Sequence, residues 1–556
     1  MNFAIRSRAR IAVALLLALM LASCAWLRSA GEGARTETRA REVDASPVEP
    51  RPADSGLHER WQHGAFVQID VRAYQDSDGD GVGDLKGLVR RLDHLKELGA
   101  RGILLMPIQP GSGGEGVGDT IDDPRAVDPA VGTLADVDEL LAQAHARGIG
   151  VVMDYALNHS STAHPFFVDA RRGASSAYRD WYVWANEAPK GWEVRGRSPW
   201  HAGERGSGAY YGVFGAARPD YNFRNPKVVA YHLDNLRFWL NRGVDGFRLL
   251  GTAQLIENDA ARWFDQPESR RLAALAAQTI RSYPKRFVAC DAPVDTQAWA
   301  EVCGSAFAQE LGALVVQAAR GEAAAVGALA EQMRKLDGAS GLWISSADDS
   351  AGNARLGDEV SSDAAAYRLA AATYLLLPGV PFVHYGEEVG QEASTRAQRE
   401  PMSWASVNAG TADGYSTRTT NLAPMAPNLA TANVEVQRQA FGSIFDTYRD
   451  LIDMRNRRPS VAVGGIEAVT VRGQLLSFVR AHGDERTLVV INYGARRVEV
   501  DVAGLPRRAR VAPIYPRRAG ASQIAQIVIA DGSGRLAVDM PPRSARAFDV
   551  EPQRRD

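Results

Sequence analysis

From about Phe66 onward, short apolar runs alternate with amphipathic stretches. The run Phe66-Val67-Gln68-Ile69 leads to a stretch with Leu88, Leu92 and Leu95 on one helical face, and then to Gly102-Ile103-Leu104-Leu105-Met106. That order predicts a βαβ unit. A second helix carries Val137, Leu140, Leu141 and Ala144, ends near Gly148, and precedes the strand Gly150-Val151-Val152-Met153. Between about Asn158 and Asn225 the alternation pauses. There Trp181, Trp184, Trp192, Trp200, Tyr210 and Tyr211 lie among glycines with no clear period, which predicts a domain inserted after the third strand. The pattern resumes with Leu233, Leu236 and Leu240 on a helix and Val244 to Leu249 on a strand. Further strands are expected near Phe287, Trp343 and Phe382, with a weaker one near Ala306 making eight. Strands joined by helical crossovers place the chain among α/β folds with a parallel sheet.

The two ends read differently. After about Arg458 come short alternating runs such as Leu475 to Val479 and Thr487 to Ile491, separated by His482-Gly483-Asp484, which predict a small antiparallel domain over 458–556. At the other end Arg6, Arg8 and Arg10 precede the apolar run Ile11 to Ala22, too short to span a bilayer comfortably and typical of a signal peptide over 1–23. Leu21-Ala22-Ser23-Cys24 resembles a bacterial lipoprotein cleavage site, which implies lipidation of Cys24, anchorage to a membrane and a place in the periplasm or outer membrane. Residues 24–60, rich in Ala, Arg, Glu, Pro and Ser, are expected to form a disordered tether.

Composition adds limits. Apolar residues make up 45 % and charged residues 23 %, ordinary for a soluble globular chain. Removing residues 1–23 leaves 61 basic residues against 66 acidic ones, a formal charge of −5, which gives no basis for nucleic-acid binding. Cys290 and Cys303 either pair in an oxidising compartment or stay buried and free.

The stretch FVQIDVRAYQDSDGDGVGDLKGLVRRLDHLKELGARGILLMP (66–107) resembles the first third of family 13 glycoside hydrolases, especially the oligo-1,6-glucosidase and α-glucosidase branch. DYALNHSS (154–161), DWYVW (180–184), RPDYNFRNPKV (218–228), GVDGFRL (243–249), LPGVPFVHYGEEVG (377–390) and REPMSW (399–404) continue the resemblance in the family's order, over about 60–550. It implies a (β/α)8 barrel over 61–457 with domain B inserted at about 158–225, a C-terminal β-sandwich, and a site at the C-terminal ends of the barrel strands. It also implies an α-linked oligosaccharide or glucan as ligand.

Retaining hydrolysis needs two carboxyl groups roughly 5 to 5.5 Å apart, one attacking the anomeric carbon and one protonating the leaving oxygen. The family's nucleophile is the aspartate two residues after the arginine of its GFRxD segment, on the same face of the strand. Here that position is Leu250, which has no lone pair to attack with. Asp245 stands an odd number of residues away and belongs to the opposite face. The family's acid/base glutamate matches Asp291, with Cys290 the one-residue alternative. Asp291, one methylene shorter, is either catalytic or a polar loop residue. The third carboxylate matches Asp348, but Ala347 stands where the family has a histidine. Asp154, Asn158 and His159 match the first family motif, in which the histidine contacts the sugar, and Arg248 matches the arginine beside the nucleophile. Arg248 either touches sugar or forms a barrel ion pair with Asp154 or Asp348. The family's stacking tyrosine has no counterpart in Val117-Gly118-Asp119-Thr120-Ile121. The tryptophans of the insertion serve either as its core or as sugar platforms.

One acidic loop is distinct. In Asp76-Ser77-Asp78-Gly79-Asp80-Gly81-Val82-Gly83-Asp84, alternating carboxylates around glycine turns predict a Ca2+ site using the side chains of Asp76, Asp78, Asp80 and Asp84 and the Val82 carbonyl. Its expected role is structural. Two readings of function follow: a relative that binds saccharide without ordinary retaining hydrolysis, or an active enzyme with a rearranged site in which Asp291 and Asp348 flank a water.

Overall fold

The computed structural model describes residues 43–112, 120–204, 206–291, 294–337, 342–345, 355–393, 400–406, 414–418, 423–517 and 527–553, with the backbone alone at 336–337 and 342–345. The chain divides into Met1–Asp44 and Ala45–Asp556, and every element below lies in the second part.

Eight parallel strands close into a barrel: β1 (Phe66–Ile69), β2 (Gly102–Leu105), β3 (Gly150–Ala156), β4 (Gly246–Leu250), β5 (Phe287–Cys290), β6 (Ser305–Phe307), β7 (Leu342–Ser345) and β8 (Val380–His384). Closure pairs Phe66 with Phe382 on one side of β1 and with Gly102 on the other. The crossovers include α1 (Leu85–Leu98), α2 (Leu134–His145), α3 (Pro226–Arg242), α4 (Pro267–Arg281), α5 (Thr296–Cys303), α6 (Gln309–Ala319), α7 (Ala323–Asp337) and α8 (Ala364–Leu376). After β8 the chain returns through α9 (Ile444–Arg457). Local chemistry sets their ends. Asp84 caps α1 by accepting from Gly87 N at 2.8 Å, and α1 stops at Gly99 with φ 91°. Thr133 and Asp136 form a capping box on α2.

The barrel floor is aromatic. Phe66, Phe287, Phe307 and Phe382 cluster with Leu104 and Val152, and the Phe66 and Phe382 rings stack 4.8 Å apart. Fully burying such a side chain contributes roughly 1.5–3 kcal/mol. Gly102 and Gly150, paired at the start of β2 and β3, have no Cβ where the Phe66 and Trp61 rings pass.

Residues 45–60 correct the expected tether at its C-terminal end. Their backbone is docked: Asn241 accepts from Arg51 N at 2.7 Å and donates to Glu49 O at 2.8 Å, and Arg286 donates to Ala53 O at 3.0 Å. Leu57 and Trp61 then join the floor cluster.

Asp245, just before β4, is fully buried at the same end, 2.6 Å from His145 Nε2 and accepting from Val151 N at 2.8 Å. It is structural. The weak sixth strand is real but short, meeting β5 only through Cys290 and Ala306. A disulfide between Cys290 and Cys303 closes the same seam, settling the two alternatives for these cysteines in favour of the pair.

Between β3 and α3, strands 184–185, 209–211 and 200–202 form a small antiparallel sheet. Trp192, Val194 and Tyr211 make its core with Trp200 against them, and Trp181 is also buried. The aromatics there serve mainly as packing. The C-terminal region forms a β-sandwich of one six-stranded and one two-stranded antiparallel sheet around Val479, Leu488, Val490, Val538 and Phe548. Among the described residues no helix is long and apolar enough to cross a membrane.

Candidate functional site

Side chains at the C-terminal ends of β3, β4 and β5 converge on one mouth of the barrel, the end at which (β/α)8 barrels carry their sites. The β3–β4 register pairs Asp154 with Arg248 and Ala156 with Leu250. Arg248 Nε lies 2.6 Å from Asp154 Oδ1 and its Nη2 lies 2.7 Å from Oδ2, a bidentate pair with both side chains buried. Arg248 Nη1 also reaches Gln68 Oε1 at 3.4 Å, and the guanidinium sits 5.2 Å from the Phe307 ring centroid. Of the two expectations for Arg248, the geometry is that of the ion pair.

Leu250 ends β4, and Gly251 turns the chain with φ 70°. A Cβ at Gly251 would press on Asn158 and meet the Phe214 ring, so the left-handed turn and the crowding both require glycine. Phe214 is 38 % exposed, and its ring centroid is 5.1 Å from that of His159. His159 is buried and bridges Asp220 through the backbone. Beneath it a cavity of about 10 Å3, bounded by Gln109, Tyr155, Tyr221 and His232, has room for no more than about one water. Burial takes the His232 imidazole down to about 3, so it stays neutral, 2.8 Å from the Tyr155 hydroxyl.

The pairing of Leu249 with Cys290 brings Asp291 beside Leu250. Asp291 N donates to Leu249 O at 3.0 Å, and its Oδ1 accepts from Gln309 Nε2 at 3.0 Å. The disulfide fixes the residue before it. The structure therefore assembles Asp154, His159, Arg248, Leu250 and Asp291 around one end of the barrel. Asp348, Ala347 and the segment 117–119 lie outside the described residues.

Two carboxyls next to this site were not singled out from the sequence. Glu257, in the loop after β4, is buried, and its Oε2 has no hydrogen-bond partner. Burial pushes it up to about 8 against the opposing charge of Arg224, whose Nη1 is 3.5 Å from Oε1. Asp220 lies in the RPDYNFRNPKV motif. Burial raises it well above the usual carboxylate range, with the nearby Asn158 amide opposing and the charge of Glu257 adding to the rise. The motif flagged the region of Asp220, whereas nothing local marks Glu257.

In the acidic loop, oxygens of Asp76, Asp78 and Asp84 lie within 4.8 Å of one another. Asp80 is outside that cluster and accepts from Val82 N at 2.7 Å. Burial pushes the Asp76 carboxyl up. Hydrogen bonds from Ser416, Gly79, Gly81 and Asp78 outweigh it and hold the group below its usual value. Three hard oxygen donors at this spacing suit Ca2+.

The family description "Alpha amylase, catalytic domain" matches residues 68–322 and 323–464. A probable alpha-glucosidase of Rhizobium meliloti is 32% identical over 501 residues, covering 78% of this chain and 89% of that protein. Alpha-amylase 3 of Dictyoglomus thermophilum is 29% identical over 460 residues, covering 79% of this chain and 86% of its own. The crystal structure of an alpha-amylase from H.orenii superposes with a TM-score of 0.74 at 29% identity, over 88% of this chain and 100% of that one. With its barrel, inserted domain and C-terminal sandwich, the chain belongs to the α-amylase family, glycoside hydrolase family 13.

Proposed function

We propose that this protein binds α-glucans or related saccharides without the retaining hydrolysis of its family, as a lipoprotein held in the cell envelope through Cys24. The carrying observation is the end of β4. Leu250 occupies the position from which a carboxylate would attack, and the Arg248 before it is taken up by Asp154. β4 itself, Gly246–Leu250, holds no carboxylate, and Asp245 before it is committed to His145 and Val151 at the far end of the strand. A leucine side chain forms no glycosyl ester and stabilises no oxocarbenium charge.

Asp291 supports the same reading. As an aspartate it reaches about one methylene less far than the family's glutamate, and it is held by Gln309. What remains is suited to contact rather than chemistry: His159 with Phe214 beside it, on the rim next to Leu250. Relatives of this chain are named as alpha-glucosidase and alpha-amylase, so an α-linked glucoside is the ligand to try first. Asp76, Asp78 and Asp84, with Asp80 and Val82 nearby, hold a Ca2+ in this reading, tying the loop before α1 to Ser416.

Titration calorimetry of the mature chain with maltooligosaccharides tests the proposal. The expected result is saturable binding, weakened several-fold by His159→Ala, with the oligosaccharide recovered intact. Shortening of the oligosaccharide that stops in Asp291→Asn would refute it.

A further inference from the structure

A cavity of about 660 Å3 lies between α9 and the C-terminal sandwich. It is remote from the barrel mouth. Arg457 ends α9, and the neighbouring Asn456 donates to Gly99 O at 2.8 Å just before β2 begins, so the cavity sits at the opposite end of the barrel. We propose that it is a second ligand site, for a saccharide that carries a carboxylate or phosphate group.

The charge of the cavity carries the argument. Among the described residues four guanidinium groups line it, from Arg457, Arg458, Arg517 and Arg546, against one lining carboxylate, Glu485. Arg458 is committed to Asp549 at 2.5 Å and to Thr487 Oγ1 at 2.9 Å. Glu485 is drawn aside by Ser460, whose N and Oγ donate to it at 2.7 and 2.5 Å. Arg457 and Arg517 share one acceptor, Asp453. Among the described residues Arg546 donates to a backbone carbonyl alone, that of Asp539, at 3.0 Å. Asp453 takes Arg457 and Arg517, and Asp450 lies close enough to act on Tyr515, so among the described residues Arg546 is the lining guanidinium left without a carboxylate, and its charge faces the cavity. The chain as a whole is slightly acidic, with a formal charge of −2, so this excess is local and not a general basic surface.

The shape and the rest of the lining narrow the ligand. Met454, Pro513, Ile514, Tyr515 and Pro541 supply flat apolar wall. A cavity of a few hundred Å3 with apolar walls and a few convergent polar groups is the usual form of a small-molecule site. Guanidinium forks match the paired oxygens of carboxylate or phosphate. A pyranose ring offers C–H faces to the proline and tyrosine surfaces while an attached oxyanion meets Arg546 and Arg517. A neutral sugar leaves the charge unanswered, and a bare inorganic anion leaves the walls uncovered.

The test is calorimetric titration of the mature chain (Cys24→Ser, to keep it soluble) with glucuronate, glucose 6-phosphate, glucose and inorganic phosphate. Arg546→Gln and Arg517→Gln are titrated in parallel, and a thermal melt confirms that each is folded. Glucuronate or glucose 6-phosphate is expected to bind, glucose and phosphate to bind at least tenfold more weakly, and Arg546→Gln to weaken the charged sugar at least tenfold. Arg517→Gln keeps the test open if Arg546→Gln fails to fold. Phosphate binding as tightly as glucose 6-phosphate would reduce the cavity to a plain anion site and overturn the proposal. So would the absence of binding, or binding indifferent to both variants. Maltooligosaccharide affinity, measured on the same variants, is expected to stay unchanged, so this site and the barrel mouth stand or fall separately.

Discussion

Replacing Glu257 by glutamine removes a carboxyl that the fold keeps out of water, and the consequence is a change in how stability depends on pH. The folded protein holds the Glu257 proton up to about pH 8, because burial opposes ionisation more strongly than Arg224 promotes it. A free glutamate loses its proton near 4.5. For an acid whose folded value is raised, the unfolded chain releases the proton first, so stability falls as pH climbs from about 4.5 and levels off above about 8. Each pH unit in that window costs about 1.4 kcal/mol, a total on the order of 5 kcal/mol. Glutamine keeps nearly the same shape and has no proton to lose. Its one loss is the contact with Arg224, 3.5 Å away and about half exposed, worth roughly 1 kcal/mol or less. Urea denaturation followed by tryptophan fluorescence at pH 5 and pH 8.5 is the assay. Glu257→Gln is expected to match the parent within about 1 kcal/mol at pH 5 and to exceed it by a few kcal/mol at pH 8.5. Parallel stability curves for parent and variant would refute the reasoning, since they would mean that Glu257 ionises in the folded protein as it does in the unfolded one.

Other consequences are as direct. Asp154→Asn removes the bidentate carboxylate partner of the buried Arg248 and should cost about 3–5 kcal/mol by denaturant titration, whereas Asp154→Leu with Arg248→Met should recover much of that loss. Calcium should raise the melting temperature of the mature chain and EDTA lower it, with both responses lost in Asp78→Asn, a substitution at an exposed position. Reducing Cys290–Cys303, which closes a 13-residue separation across the β5–β6 seam, should cost about 3 kcal/mol, read as a lower denaturation midpoint in dithiothreitol that Cys303→Ala reproduces.

Much of this architecture is legible in the chain because the burial pattern and the local period coincide. Leu88, Leu92 and Leu95 sit on the buried face of α1 as their spacing predicts, and the apolar run Phe66 to Ile69 forms β1, with Phe66, Val67 and Ile69 buried. The signal fades where tertiary contacts replace local ones. β6 is three residues long and is held by one ladder pair and a disulfide on the β5 side and by three pairs with β7 on the other, which no window of apolar periodicity can register. Residues 45–60 look solvated because they carry few apolar side chains. They are held instead through backbone groups that Asn241, Lys285 and Arg286 reach from distant elements. At the site, Leu250 is visible from motif spacing alone, and so is the choice facing Arg248 between sugar and ion pair. Glu257 is invisible at that level, since its raised proton affinity comes from burial in the folded chain and not from any neighbour in sequence.

With Leu250 in place of the nucleophile, loss of retaining catalysis is the proposed state of the site, and turnover is its test. Release of reducing sugar from a panel of α-linked glucosides by the mature chain should not exceed that of Asp348→Ala purified in the same way. Turnover that the parent shows and the variant lacks would mean that catalysis survives, through a nucleophile or an activated water that Leu250 does not supply.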